Sequence, residues 1–365
     1  MRYPQILERP DDRARAAQPS TNGHARGIRE RNRALVLRTL MEQAALSRAD
    51  LSRLTGLARP TVSEVVRDLL ADGVIRESGP SQETRPGKPA VMLEFDRRAV
   101  QVIALDLSAP DEVVGALASP DGRIAHRLRR PRTADAADVI SRLVAELQSV
   151  ADGPALGVGI GAPTGSSALL GLGPRLADVV GAPVHLFDDA DLVADAELRF
   201  GAVGTDFLLV RVGTRIGTAI RVVGDDGAPV ERSIGARELA HVDAGGDPGD
   251  VCLCGRAGCV HAWASAPALT RRLNDSGGDR DAVLSAAGAR LGTSLSVIAA
   301  AVDLPTIVLS GPADIVGAGL VDAAAAAVRA ASHPSLGPAV VPSVLDDAVL
   351  LGAATRVVAA AFGPH

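Results

Sequence analysis

The sequence predicts a small N-terminal domain of three helices and a hairpin, followed by a larger α/β body. Apolar residues recur at helical spacing between residues 33 and 70, whereas buried-strand patterns alternate with helical patterns from residue 102 onwards. The charge also changes along the chain. Residues 26–93 carry twelve basic and eight acidic side chains, although the whole chain of 365 residues has a net charge of −5. A basic head on an acidic body is typical of a DNA-binding domain joined to a body with another role.

The N-terminal segment is predicted to form three helices joined by tight turns. A first helix is expected over residues 33–43. Ser47 can cap a second helix, and Asp50, three residues later, completes a capping box. Gly56 can end that helix in a left-handed conformation. Pro60 suits the first turn of a third helix, because the N–H that proline lacks would have no partner there.

Two helices joined by a short turn containing glycine are typical of the helix-turn-helix motif, whose second helix enters the major groove of DNA. After Gly73, two strand patterns flank a basic, proline-rich tip and predict a wing that can enter the minor groove. We therefore predict a disordered tail over residues 1–27 and a winged helix-turn-helix domain over residues 28–97, with a double-stranded DNA operator as partner. The predicted DNA contacts are Arg59, Thr61, Ser63 and Arg67 on the third helix, with Arg85 and Lys88 on the wing. A three-helix scaffold docked on another surface is the alternative.

Composition argues against a membrane or secreted protein. No apolar stretch uninterrupted by charge reaches the roughly 20 residues that a membrane span requires. Residues 1–25 are polar and arginine-rich, without the apolar run of a signal peptide. We therefore expect a cytoplasmic protein with no membrane partner.

From residue 102 the body is predicted to alternate strands with helices, and acids or glycines follow several strands. Strands are expected over residues 102–107, 111–118, 123–128, 155–160, 184–187, 207–212 and 306–309. Helices are expected over residues 133–150, 281–302, 317–331 and 344–361, and in a segment ending at Phe200. This order predicts an actin-like, sugar-kinase-like two-lobed body over residues 98–365.

All three cysteines, Cys252, Cys254 and Cys259, lie within eight positions, and His241 precedes them. Three thiolates and one imidazole form a closed tetrahedral shell for Zn²⁺, which is a structural rather than a catalytic site. Gly255 in the same loop allows the tight backbone that such close cysteines require. The sequence therefore predicts a structural zinc ion. Three reduced cysteines without a metal are the alternative.

With these motifs the chain resembles the ROK family, which groups sugar-responsive transcriptional repressors with sugar kinases. The resemblance covers about residues 30–360, and the winged head is similar to the repressor branch. It implies that Glu238 and His241 contact sugar hydroxyls, and that Asp189 aligns with the general base of the kinases. It also aligns Asp188 with a sugar-contacting Asn and His261 with a sugar-contacting Glu. Helix capping is the alternative role for the two aspartates, and a solvated loop acid is the alternative for Glu238.

The phosphate-binding loop departs from the family pattern. Phosphoryl transfer requires backbone N–H groups around the phosphates. Where the family kinases have Asp-x-Gly-Gly-Thr-Lys, this chain has Asp106-Leu-Ser-Ala-Pro110-Asp111, and its only lysine is Lys88 in the wing. The second loop, residues 213–217, is partly retained, although tight packing also explains its glycines. A segment carrying a Pro-Asn sugar contact in the family is absent between residues 164 and 183.

We therefore expect a transcriptional repressor that is not an enzyme and that responds to a sugar or sugar-derived effector. A homodimer is expected, because helix-turn-helix proteins usually read two half-sites. Two alternatives remain open. One is an ATP-dependent sugar kinase with an added DNA-binding head, and the other is a DNA-binding dimer that responds to no ligand.

Overall fold

The structure is a computed structural model that describes residues 21–362, except 44, 81–88, 97–99, 134–135, 154, 164, 166–170, 205, 223–233, 236, 244, 246–249, 276, 278 and 334–336. Contacts divide the chain into two compact units, one up to Phe95 and one over Asp96–Ala361.

The first unit contains three helices and a small sheet. Its elements are α1 (Thr21–Glu42), β1 (Leu46–Ser47), α2 (Arg48–Thr55), α3 (Arg59–Ala71), β2 (Ile75–Pro80) and β3 (Val91–Phe95). The prediction that the first helix starts at residue 33 was wrong. Because α1 begins at Thr21, the backbone of residues 21–27, which composition had assigned to a disordered tail, is helical.

Local signals explain the ends of α2. The hydroxyl of Ser47 accepts from the N–H of Asp50, and the Asp50 carboxylate accepts from the N–H of Ser47, which confirms the predicted capping box. Gly56 ends the helix at φ 71°. The strand β1 was missed, because its two residues are too few to show a periodicity. It pairs with β3, so the antiparallel sheet has the order β1-β3-β2.

The second unit contains two five-stranded sheets flanked by helices. The first sheet contains β4 (Val102–Asp106), β5 (Glu112–Ala118), β6 (Ile124–Pro131), β7 (Val158–Ala162) and β8 (Val184–Asp188). The second contains β9 (Phe207–Val212), β10 (Ile216–Arg221), β11 (Ile234–Gly235), β12 (Thr306–Ser310) and β13 (Ala339–Pro342). The helices are α4 (Ala136–Ser149), α5 (Leu172–Val180), α6 (Asp189–Phe200), α7 (Val260–Ala264), α8 (Ala266–Asp275), α9 (Arg280–Val302), α10 (Ala318–Ala331) and α11 (Ala348–Phe362), with a 3₁₀ helix at Arg237–His241.

The two sheets repeat one topology. The first has the order β6-β5-β4-β7-β8 and the second the order β11-β10-β9-β12-β13. In each sheet the first three strands are antiparallel and the last two run parallel to the first. This repeated α/β lobe is the predicted two-lobed actin-like architecture. Ligands of such sheets bind beyond the carboxyl ends of the parallel strands, which here border a common cleft.

Helix α9 is long and apolar enough to span a membrane by length and composition alone, which the sequence reading had not identified. Burial within the protein also explains why α9 is apolar, because half of its most apolar 18-residue window is buried. It packs against α10, where a Cβ on Gly288 would lie 2.2 Å from the Leu320 carbonyl oxygen. A Cβ on Gly292 would lie 2.4 Å from the Ala324 carbonyl oxygen. We interpret α9 as a core helix of the second lobe.

We predict that Gly288→Ala destabilises the second unit by about 1–3 kcal/mol, since the added methyl meets backbone that cannot move aside independently. Chemical denaturation of the full chain measures the change. Gly319→Ala on α10 is the matched control, because its Cβ would meet only Leu284 Cβ at 3.9 Å. The control should be neutral or slightly stabilising, as alanine is a better helix former than glycine. Equal stabilities for the two variants would contradict this packing.

Candidate functional site

The helix α3 presents a polar face of the kind that reads DNA. Val62, Val66 and Leu69 are fully buried and hold α3 against the rest of its unit. Three of the four predicted contacts on this helix, Arg59, Ser63 and Arg67, are exposed, and spacing of four residues places them on one face. Thr61 is half-buried, and the Arg67 guanidinium lies 3.2 Å from the Asp68 carboxylate. The predicted wing contacts Arg85 and Lys88 lie outside the described residues.

In the second unit, the strand ends of both lobes border a cleft of about 420 Å³. It is lined by the segment after β4, the turn after β9, the segment after β12 and the start of α11. In the predicted architecture this is where nucleotide phosphates would lie between two loops. The first loop is residues 106–111 and the second is residues 213–217.

Hydrogen-bonding groups of these two loops are already engaged within the protein. The N–H of Leu107 donates to the Gly161 carbonyl at 2.8 Å, and that of Ser108 donates to Oδ1 of Asp106 at 2.9 Å. The Thr214 hydroxyl donates to the Ser108 carbonyl at 2.7 Å, so the second loop is bonded directly to the first. The N–H groups of Leu107 and Ser108 are therefore not available to a phosphate group, whereas the buried Ser108 hydroxyl has no hydrogen-bond partner among the described residues.

The predicted counterpart of the catalytic base, Asp189, is buried in an ion pair. Its Oδ2 lies 2.9 Å from Nε of Arg211 on β9, and its residue is 4 % exposed. Burial alone would lower the pKa of Arg211, but the carboxylates of Asp189, Asp106 and Asp188 outweigh burial and raise it. Asp188 also caps α6, since its Oδ1 accepts from the Ala190 N–H at 3.1 Å. The carboxylate of Asp189 is thus held by an internal cation.

A smaller pocket of about 50 Å³ opens at the start of β10, with lining residues Arg215, Ile216, Gly217, Thr218, Ala240, His241, Leu253 and His261. His261 is buried, and its Nδ1 accepts from the Ile216 N–H at 3.3 Å, which places the proton of the neutral ring on Nε2. Burial, followed by the charges of Arg215 and His241, lowers the pKa of His261. A Cβ on Gly217 would lie 3.6 Å from Oδ1 of Asp189, so the pocket and the ion pair are adjacent.

His241, Cys252, Cys254 and Cys259 converge on one point, with their ligand atoms all within 4.8 Å of one another. The sulfurs of Cys254 and Cys259 lie 3.6 Å apart, and Sγ of Cys252 lies 3.5 Å from Nδ1 of His241. A tetrahedral zinc ion with ordinary bond lengths requires separations of about 3.8 Å between sulfurs and about 3.5 Å between sulfur and nitrogen. The donor set and its spacing therefore fit a four-coordinate metal ion.

The backbone of the cysteine loop brings the thiols close together and helps to lower the pKa of one of them. Gly255 and Gly258 have φ of 84° and 78°, which lets the chain turn tightly between the cysteines. Hydrogen bonds from the backbone and side chain of Arg256 lower the pKa of Cys254 to about 6, whereas burial raises the pKa of Cys259 to about 11. One thiol is therefore a thiolate near neutral pH, and a bound cation would have to deprotonate the buried one.

Comparison with protein families decides the assignment of the body. The ROK family matches residues 103–358, and a winged helix-turn-helix DNA-binding family matches residues 29–76. This chain belongs to the ROK family. The match covers both lobes, including the cleft, the small pocket and the cysteine loop.

Named relatives of this ROK chain include both repressors and a kinase. It is 27 % identical over 267 residues to the xylose repressor of Caldicellulosiruptor bescii, a match that covers 66 % of this chain and 65 % of that protein. It is 33 % identical over 202 residues to the glucokinase of Thermotoga maritima, covering 48 % of this chain and 61 % of that enzyme. The crystal structure of a ROK family transcriptional regulator, a homologue of the E. coli MLC protein, has a TM-score of 0.72 at 21 % identity. This structural match covers 93 % of this chain and 98 % of the regulator's chain.

The structure brings some of the predicted effector residues of this ROK chain together. His241 and His261 line one pocket, with their ring centroids 6.3 Å apart, and Asp189 lies beneath its floor at Gly217. The capping role considered for Asp188 is observed. Glu238 lies in the 3₁₀ helix that carries His241, but its side chain is outside the description.

Sequence reasoning missed two arginines of the ROK body: Arg211 lines the cleft, and Arg215 lines the small pocket. A signal for the first was present, since Arg211 is the only charged residue in the apolar strand β9. A charge within a buried strand requires a buried partner, which points to an acid elsewhere in the sequence. Nothing in the sequence alone identified that acid as Asp189.

We predict that Arg211→Ala destabilises the protein by about 3–5 kcal/mol, because it leaves the Asp189 carboxylate buried without a counter-ion. Arg129→Ala is the matched control. Its ion pair with Glu112 is exposed and should be worth about 1 kcal/mol or less. Chemical denaturation of both variants at pH 7 makes the comparison. If Arg211→Ala were as stable as the control, the buried pair would not be a structural requirement.

Proposed function

We propose that this chain is a transcriptional repressor. Its winged helix-turn-helix domain binds a palindromic DNA operator as a homodimer, and its ROK body binds a sugar or sugar-derived effector that changes operator affinity. The proposal depends on the exposed face of α3 formed by Arg59, Ser63 and Arg67, in a chain whose two candidate phosphate loops are hydrogen-bonded to each other. A DNA reader joined to such a body has the parts of a ligand-controlled switch.

The relatives support this role for the DNA-binding head. The match to the xylose repressor of C. bescii covers 66 % of this chain and 65 % of that protein. Repression and a response to xylose are properties of that protein, and the match supports extending repression to this chain. The amphipathic α3, with Pro60 in its first turn, supplies the geometry that major-groove recognition requires.

The body is proposed to have lost phosphoryl transfer. The donors of the first loop bond to Gly161 and Asp106, and Pro110 contributes no N–H. A kinase base must accept a proton from the sugar hydroxyl, and the ion pair of Asp189 Oδ2 with Arg211 makes that carboxylate a weaker base. These contacts support effector binding without turnover at the adjacent pocket, where Asp188, Glu238 and His261 remain candidate contacts.

The metal of the four-residue cluster is proposed to be zinc. Three thiolates and one imidazole favour zinc over harder divalent cations, and four protein ligands leave no open position for chemistry. His241 joins the cluster to the small pocket, and Leu253 stands between two of the cysteines and lines the same pocket. The ion would hold that pocket wall in shape.

We predict that Arg59→Ala weakens binding to the selected operator about tenfold or more, the usual cost of a lost arginine contact to a base. The operator is first selected from a random duplex pool with the full chain. Fluorescence anisotropy at fixed salt then measures affinity, because phosphate contacts make it strongly salt-dependent. Arg175→Ala, an exposed arginine on α5, is the matched control and should bind as the natural chain does. Failure of the natural chain to bind duplex DNA at low salt would overturn the proposed function.

A sugar-kinase function is the second candidate, favoured by the similarity to the T. maritima glucokinase and by the retained Asp189. We predict no ATP-dependent phosphorylation of glucose or xylose above background, because the N–H groups of Leu107 and Ser108 are already bonded and Pro110 has none. A coupled ADP-release assay measures turnover, with Asp189→Asn as the matched variant. Turnover that this substitution abolishes would establish the kinase instead.

We predict one equivalent of zinc in the purified chain, and that Cys252→Ser lowers both the metal content and the midpoint of thermal unfolding. Metal binding to the folded state stabilises it, so removal must destabilise it. Elemental analysis and calorimetry provide the two readouts. His126→Asn alters an exposed histidine on β6 and is the control that should retain the metal. Full stability of the metal-free variant would contradict a structural role.

A further inference from the structure

The side of α3 that faces away from the protein core carries an acid, Glu64. Four apolar side chains hold the helix against the rest of its unit: Val62, Val65, Val66 and Leu69. At about 100° per residue, residues 60, 64, 67 and 71 form a line on the opposite side, and all four are exposed. Glu64 therefore lies near the middle of the surface that a recognition helix turns towards DNA, about one turn before Arg67.

Glu64 differs from the other described acids of this unit in its lack of a charged partner. In the described part of residues 45–95, five other acids each form an ion pair with an arginine: Asp50, Asp68, Asp72, Glu77 and Glu94. Within the same part of the chain, the Glu64 carboxylate makes neither an ion pair nor a hydrogen bond. Arg67, three residues later, pairs with Asp68 instead, at 3.2 Å. The Glu64 carboxylate is therefore open to a ligand of this face.

A carboxylate on a DNA-binding face restricts which bases can lie opposite it. Duplex DNA carries about one negative charge per 1.7 Å of its axis, so the phosphates repel a carboxylate that faces them. This repulsion is offset where the carboxylate accepts a hydrogen bond from a base. In the major groove guanine and thymine present acceptors, adenine presents the N7 acceptor beside its N6 amino group, and cytosine presents only the N4 amino donor. Cytosine is therefore the base that a carboxylate matches best.

We infer that Glu64 reads a cytosine in each half-site of the operator, by accepting a hydrogen bond from its N4 amino group in the major groove. This inference rests on the proposed function, because it requires α3 to be the recognition helix. It makes Glu64 a specificity-determining residue in addition to Arg59, Ser63 and Arg67. An arginine attracts every phosphate as well as a matching base, whereas Glu64 disfavours wrong bases and non-specific DNA.

Selection from a random pool of DNA duplexes with the full chain identifies the operator. Fluorescence anisotropy at fixed salt then measures the affinities of the natural chain, Glu64→Ala and Glu64→Gln for the operator and for its single-base variants. We expect the natural chain to prefer cytosine at one position of each half-site by about fivefold or more, the usual cost of one mismatched base pair. Glu64→Ala should lose this preference and keep the others. Glu64→Gln should shift it towards adenine, whose N6 and N7 pair with a glutamine side chain.

Glu146→Gln is the matched control, because it removes the same charge from an exposed position on α4 in the second unit. It should leave every base preference unchanged. Both Glu64 variants should bind non-specific duplexes at least as tightly as the natural chain does, since a charge that repels phosphate is lost. Glu64 is exposed, so both variants should also keep the thermal unfolding midpoint of the natural chain.

Unchanged base preferences at every position in both Glu64 variants would overturn this inference and leave the proposed function intact. A change confined to an A·T pair would contradict the assignment of cytosine. Loss of binding to all duplexes by folded Glu64 variants would also overturn the inference, because losing one base contact should not abolish the phosphate contacts. A natural chain that binds no duplex at low salt would instead overturn the proposed function, and this inference with it.

Discussion

The ion pair between Asp189 and Arg211 is the interaction on which the second unit depends. Asp189 begins α6, directly after the last strand of the first sheet, and Arg211 lies on the first strand of the second sheet. Two such charges cannot leave water unless each neutralises the other. The pair therefore fixes the lobes at the point where their strand ends meet. It also places a cation beside Asp189, which the family resemblance aligns with the general base of the kinases.

The contacts of the same region support the proposal that this cleft does not transfer phosphate. Catalysis requires donors that are free until phosphate arrives and a base that is free until the hydroxyl arrives. Here the Thr214 hydroxyl bonds the second loop to the first, and Arg211 is paired with one carboxylate oxygen of Asp189. Both contacts are made within the protein, at groups that a substrate or nucleotide would otherwise engage.

The cysteine loop has a different relation to the pocket. His241 belongs to the metal cluster, and Leu253 lies between two of its cysteines. Both residues also line the small pocket, so the geometry of the cluster affects the shape of the pocket wall. Loop backbone without regular structure has few internal hydrogen bonds to fix its position. Four ligands on one ion would replace them. A structural metal can in this way govern ligand selectivity without taking part in chemistry.

The sequence by itself determined the parts whose signals are local. The capping box at Ser47, the end of α2 at Gly56 and the apolar face of α3 follow from spacing, and the cysteine cluster from eight consecutive positions. Only the tertiary structure decided which groups meet across long separations. It paired Arg211 with Asp189, placed Arg215 beside His261, and bonded Thr214 to the loop after β4. The reason is physical: periodicity reports which face of an element is buried, whereas a buried charge finds its partner through the packing of whole sheets.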